Sequence, residues 1–207
     1  MMKYLILLTL MWGLPTQILS AQDNNLLDEL MQEAKPDSAL LPPKMLLTQR
    51  VLWGEKGLLR STGIAPLNAT TRMKELKLRR AMLKTHQVLG FATLGGMLAQ
   101  GIIGSQLYRG NYKNYELHEN LAGVINVTYS LGAITSFLAP PPMLNRDKKL
   151  SSVRLHKWLA VGHMSGMIAT NILAEMAGEN AKYKSAHRAA ALFTFASFAA
   201  ATVVVTF

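Results

Sequence analysis

The chain has five histidines, His86, His118, His156, His163 and His187, and all of them lie in or at the head of long uncharged runs. Imidazole ligates metals and titrates near neutral pH. An ionisable group among apolar helical residues is costly and is by default a functional one. Cysteine is absent, which excludes disulfides, zinc-thiolate sites, iron-sulfur clusters, thiol nucleophiles and covalent haem attachment through C-x-x-C-H. No G-x-S-x-G, H-E-x-x-H or Walker glycine loop occurs, and the uncharged runs lack the Glu-x-x-His pairs of a di-metal bundle. The chemistry of the chain therefore rests on imidazole.

Those side chains need elements to hold them. Half of the 207 residues are apolar and only 16% are charged, against about a quarter in a soluble domain. The charges are bunched between uncharged runs at 85–108, 120–145, 158–174 and 189–207. A membrane-crossing helix needs about 20 apolar residues, so these runs predict four transmembrane helices, over about 85–108, 119–138, 154–174 and 187–207. Pro140-Pro141-Pro142 closes the second, because proline cannot continue a helix. Short connections make neighbours antiparallel, and the predicted fold is an all-α, up-and-down four-helix bundle in a lipid bilayer, occupying 81–207. Gly95, Gly96, Gly101, Gly104 and Ser105, and Gly162 with Gly166, suit close helix contacts or room for a planar cofactor.

Residues 1–21 read as a signal peptide: Lys3, an apolar run from Tyr4 to Leu14, then Ser20 and Ala21. An uncleaved anchor is the alternative. Residues 22–80 form a leader broken at Pro36, Pro42-Pro43 and Pro66, with one apolar helical face at Leu26, Leu27, Leu30, Met31 and Ala34. The stretch with Val51, Leu52, Trp53, Leu58 and Leu59 is expected on the membrane surface, Trp53 near the headgroups, or else as a flexible leader.

Alternating helix direction sorts the histidines into cross-bundle pairs. His86 and His156 share one side, and His118 and His187 share the other. Two imidazoles from facing helices at matched depth are what a haem with two axial histidines needs. His163 lies seven residues after His156, about 10 Å deeper, on the same face, as a competing ligand or a hydrogen-bonding neighbour. Any single such histidine could equally be a helix-end cap or headgroup contact. The first span is about 33 Å long, too far for one electron hop, so two haems would form a relay. Gln100, Asn126, Thr128, Ser130, Ser165, Thr170 and Asn171 are candidates to hydrogen-bond the ligands or to join the helices. Arg79, Arg80, Lys84, Arg154 and Lys157 gather at the side of His86 and His156, for propionates, an anionic reductant or lipid headgroups.

The segments beginning His86-Gln87-Val88-Leu89-Gly90, His118-Glu119-Asn120-Leu121-Ala122-Gly123, His156-Lys157-Trp158-Leu159-Ala160 and His187-Arg188-Ala189-Ala190-Ala191 give residues 80–207 a pattern that resembles the cytochrome b561 family. The fourfold recurrence carries the resemblance. It implies two non-covalent b-type haems passing electrons across the membrane, hence a transmembrane electron-transfer oxidoreductase, with His86, His118, His156 and His187 as iron ligands. It favours His156 over His163 in the third helix. The signal peptide and leader depart from the family core, and no substrate motif carries over, so donor and acceptor stay open, a quinol or small reductant among them. The alternatives are a haem-bearing anchor subunit of a respiratory complex and a haem-free membrane scaffold.

The net charge of +10 comes without a basic patch interleaved with aromatics, so nucleic acid is not an expected partner. The charges bear instead on orientation in the expected location, a bacterial inner membrane crossed several times. Eleven Lys and Arg residues flank the side of His86 and His156, from Arg72 to Lys84 and from Arg146 to Lys157, against five on the other, Arg109, Lys113, Lys182, Lys184 and Arg188. The positive-inside rule puts the eleven in the cytoplasm; a cleaved signal peptide puts them outside, and is preferred here.

Overall fold

The computed structural model describes residues 40–143 and 152–206, and all their regular structure is helical. In chain order the helices are α1 (Leu47–Trp53), α2 (Leu58–Ser61), α3 (Ala69–Tyr108), α4 (Tyr115–Phe137), α5 (Ser152–Glu179) and α6 (Lys184–Thr206). The signal peptide, the face from Leu26 to Ala34, and Arg146, Lys148 and Lys149 lie outside the described residues.

Contacts along the four long helices fix an antiparallel order. A Cβ on Gly96 would meet Ile125, one on Gly104 would meet His118, and one on Gly132 would meet Leu89 and His86, so α4 runs back along α3. Gly162 faces Ser197 and Gly166 faces Thr194 in the same sense between α5 and α6. The hairpins meet where α3 packs on α6. Asn126 and Asn171 join α4 to α5 by exchanging amide hydrogen bonds at 2.8 and 3.1 Å. Both reverse turns use one device: Asn111 and Asn180 accept the N–H two residues on, of Lys113 and Lys182, and a turn of 3-10 helix follows. Of the small residues expected at helix contacts, Gly96, Gly104, Gly162 and Gly166 are used, while Gly95 and Gly101 face open space.

The bundle exposes many large apolar side chains and buries polar ones beside its apolar core. Val88, Leu98, Ile102, Val124, Val127, Trp158, Ile168 and Leu192 are all more than half exposed, whereas Thr93, His163 and Thr194 are buried. That distribution is costly in water and suits hydrocarbon. Two stretches among the described residues are long and apolar enough to cross a membrane, α3 and Ala181–Val205, which covers α6 up to its last residue. The four spans expected are thus met by this measure only at the first and fourth. The helices α4 and α5 are long enough, but Asn126, Thr128, Tyr129, His163 and Asn171 dilute their apolar character.

The first long helix begins at Ala69 rather than near residue 85, because Asn68 accepts the Thr71 N–H at 2.8 Å and caps it there. His86 is therefore deep within α3, not at its head. Residues 40–68 close the end of the α3–α4 hairpin. After α4, the carbonyls of Phe137, Leu138, Ala139, Pro140 and Pro141 lack helical donors, since the proline run offers no N–H. Thr48 Oγ1 donates to Phe137, Trp53 Nε1 to Leu138 at 3.0 Å, Gln49 Nε2 to Ala139, Arg79 Nη1 to Pro140 and Arg72 Nη2 to Pro141. Trp53 is thus 8% exposed and bound to main chain, where the sequence had suggested a headgroup contact. Beneath it, buried Glu75 pairs with both Arg60 and Arg72.

Candidate histidine centres

His86 on α3 and His156 on α5 meet across the bundle with ring centroids 6.1 Å apart and planes at 86°. Each ring is held by the partner helix of its own hairpin: His86 Nδ1 lies 2.9 Å from the Gly132 carbonyl, and His156 Nδ1 lies 2.9 Å from the Ala201 carbonyl. A carbonyl can only accept, so both Nδ1 atoms carry the proton, and Nε2 of each ring keeps its lone pair. Gly132 packs beside both side chains, where a Cβ would make ordinary contact with His86 Nδ1 at 3.9 Å and Leu89 at 3.6 Å.

The second pair lies at the other end. His187 Nδ1 donates to the Thr170 carbonyl at 3.1 Å. Gln100 Nε2 donates to the main-chain carbonyl of His118 at 2.9 Å, and the ring packs on Gly104, where a Cβ would come within 2.9 Å of Cε1. The spacing between the two levels repeats on every helix. His86 to Gln100, His118 to Gly132, His156 to Thr170 and His187 to Ala201 are each fourteen residues, about 21 Å of helical rise. That is shorter than the span length alone suggested.

Between the levels sits a packed middle. His163 Nδ1 is 2.8 Å from the Tyr129 hydroxyl, and its ring lies against Tyr129 and Phe198 with centroids 5.7 and 4.9 Å away. Met97 and Ile125 complete this core with Phe198, and Thr93 bonds Thr128 at 3.1 Å beside it. His163 is thus a hydrogen-bonded neighbour, while the ring facing His86 is that of His156.

His86 and His156 are the residues that would hold a metal at this level, one ring nitrogen from each. No group of three or more His, Asp or Glu side chains able to hold a metal occurs among the described residues. His86 and His156 present two ring nitrogens across the bundle.

Of the other residues singled out in sequence, Thr170 and Gln100 touch histidines, Asn126 and Asn171 join helices, and Ser165 bonds back to its own helix at Val161. Ser130 is exposed. Arg79 is committed to the Pro140 carbonyl. Gly132, Ala201, Tyr129 and Phe198 were missed. Tyr129 carried a signal, a hydroxyl in an apolar run; the two carbonyls carried none, since main chain has no residue-type signature. Comparison with protein-family models, with curated proteins and with solved structures finds no match.

Proposed function

We propose that the chain is a multi-pass membrane b-type cytochrome that passes electrons across the bilayer, using His86 with His156 for one haem and His118 with His187 for a second. The observation that carries the reading is the His86–His156 pair, 6.1 Å between centroids, with both Nδ1 atoms bound to carbonyls and both Nε2 atoms left to ligate. The fourfold histidine pattern and its resemblance to the cytochrome b561 family support it.

Haem supplies reversible one-electron chemistry when bound. The chain's own residues do the rest. Gly132 and Ala201 fix the orientation and tautomer of two ligands and raise their basicity through Nδ1; Thr170 does the same for His187. The core of Met97, Ile125, Phe198, Tyr129 and His163 excludes water between the two levels. The apolar exterior meets lipid, and on this reading α4 and α5 also span, their polar groups spent on each other as Asn126 with Asn171 and Tyr129 with His163.

The test is a reduced-minus-oxidised spectrum and pyridine haemochrome of the detergent-purified chain, produced with haem available and counted against protein by amino-acid analysis. About two haems b per chain is the result expected from two bis-histidine sites. A folded, colourless protein would overturn the reading and leave a membrane scaffold.

A further inference from the structure

The two hairpins repeat one design with a single exception. In α5–α6, His156 is held by the Ala201 carbonyl and His187 by the Thr170 carbonyl. In α3–α4, His86 is held by the Gly132 carbonyl, the counterpart of Ala201. The counterpart of Thr170 is Gln100, since each stands fourteen residues after the first histidine of its hairpin. Its main-chain carbonyl does not take the imidazole of His118. Instead the Gln100 side chain reaches across and donates to the main-chain carbonyl of His118.

This leaves two buried atoms without hydrogen-bond partners, His118 Nδ1 and Gln100 Oε1; the only other such side-chain atom among the described residues is Arg60 Nε, in the leader. One is a ring nitrogen that carries a proton whenever Nε2 ligates a metal, and the other accepts only. A buried polar atom without a partner costs about 1–3 kcal/mol, so each supplies what the other lacks. The Gln100 amide is already anchored on the His118 main chain by its own N–H, and Gly104 packs on the His118 ring, where a Cβ would stand 2.9 Å from Cε1 and 3.6 Å from Nδ1.

We infer that Gln100 is a positioning residue for His118, its side-chain oxygen accepting from Nδ1 when Nε2 ligates iron. The inference rests on the two-haem reading above. It makes the sites unequal: three ligands lean on rigid main-chain carbonyls and one on a side-chain amide. An acceptor at Nδ1 makes the imidazole a stronger donor and favours the oxidised metal. Gln100→Leu removes that acceptor and raises the potential of the His118–His187 haem alone. Gln100→Glu strengthens the acceptor and lowers it.

The experiment is a dye-mediated redox titration of the purified holoprotein with low-spin EPR, on the parent, Gln100→Leu, Gln100→Glu and, to assign the components, His118→Ala. The component missing from His118→Ala moves in opposite directions in the two Gln100 variants, by roughly a tenfold change in oxidised-to-reduced ratio, about 59 mV for a one-electron couple. The other component stays put. If Gln100→Leu binds only one haem, Gln100→Glu decides. Retention of both haems with the downward shift supports the assignment; an unshifted Gln100→Glu overturns it, as do unmoved or equally moved components in Gln100→Leu. A parent protein without haem defeats the underlying reading and is told apart from these results by the absence of any Soret band.

Discussion

Replacing His118 by Ala should remove one haem and spare the other. The two levels share no ligand and lie about 21 Å apart by helical rise, beyond the range over which substitutions usually couple. The parent's haem content should fall by half. The spared site at His86 and His156 keeps its carbonyl bonds to Gly132 and Ala201, so its spectrum is unchanged. Its potential feels only the loss of a distant charge. At an effective dielectric of about 20, unit charges about 21 Å apart interact by roughly 0.8 kcal/mol, which is about 35 mV for a one-electron couple. The assay is pyridine haemochrome for stoichiometry and redox titration for potential, with helical circular dichroism as the fold control. His156→Ala is the mirror variant and should remove the other component. Loss of both haems from a folded His118→Ala protein, or a shift of the survivor beyond about 100 mV, roughly three times the Coulomb figure, would refute independent diagonal pairs.

His163→Leu should leave haem content unchanged, since His163 bonds Tyr129 rather than facing His86; loss of one haem by pyridine haemochrome would make it the ligand. Glu75→Gln strands the buried Arg60 and Arg72 and should cost about 3–5 kcal/mol, read as reduced resistance to chemical denaturation in detergent. Gly166→Ala puts a Cβ 3.1 Å from Phe193 and 3.3 Å from the Thr194 backbone. It should wedge α5 from α6 at a cost of about 1–3 kcal/mol, seen in a thermal melt, whereas Gly101→Ala, in open space, should not lower the melt. Trp53→Phe removes the bond to the Leu138 carbonyl and should destabilise by about 1 kcal/mol, measurable by the same melt.

The sequence by itself determined the helical class and the end of α4, because these follow from hydrophobic run length and proline. Thr85 to Tyr108 had to be helix, and Pro140-Pro141-Pro142 had to end one. It misjudged where α3 starts, since the cap at Asn68 precedes a charged stretch, Arg72 to Lys84, where the membrane pattern is silent. Tertiary structure decided whatever depends on rotation about a helix axis or on main-chain atoms. It brought the ring of His156 to His86 and turned His163 to Tyr129, a choice between two residues on one face that periodicity leaves open. It buried Trp53 against Leu138, because the carbonyls after α4 needed donors that only a distant segment could bring. And it supplied the carbonyls of Gly132, Ala201 and Thr170 as partners for three imidazoles, groups every residue carries and no sequence distinguishes until the chain has folded.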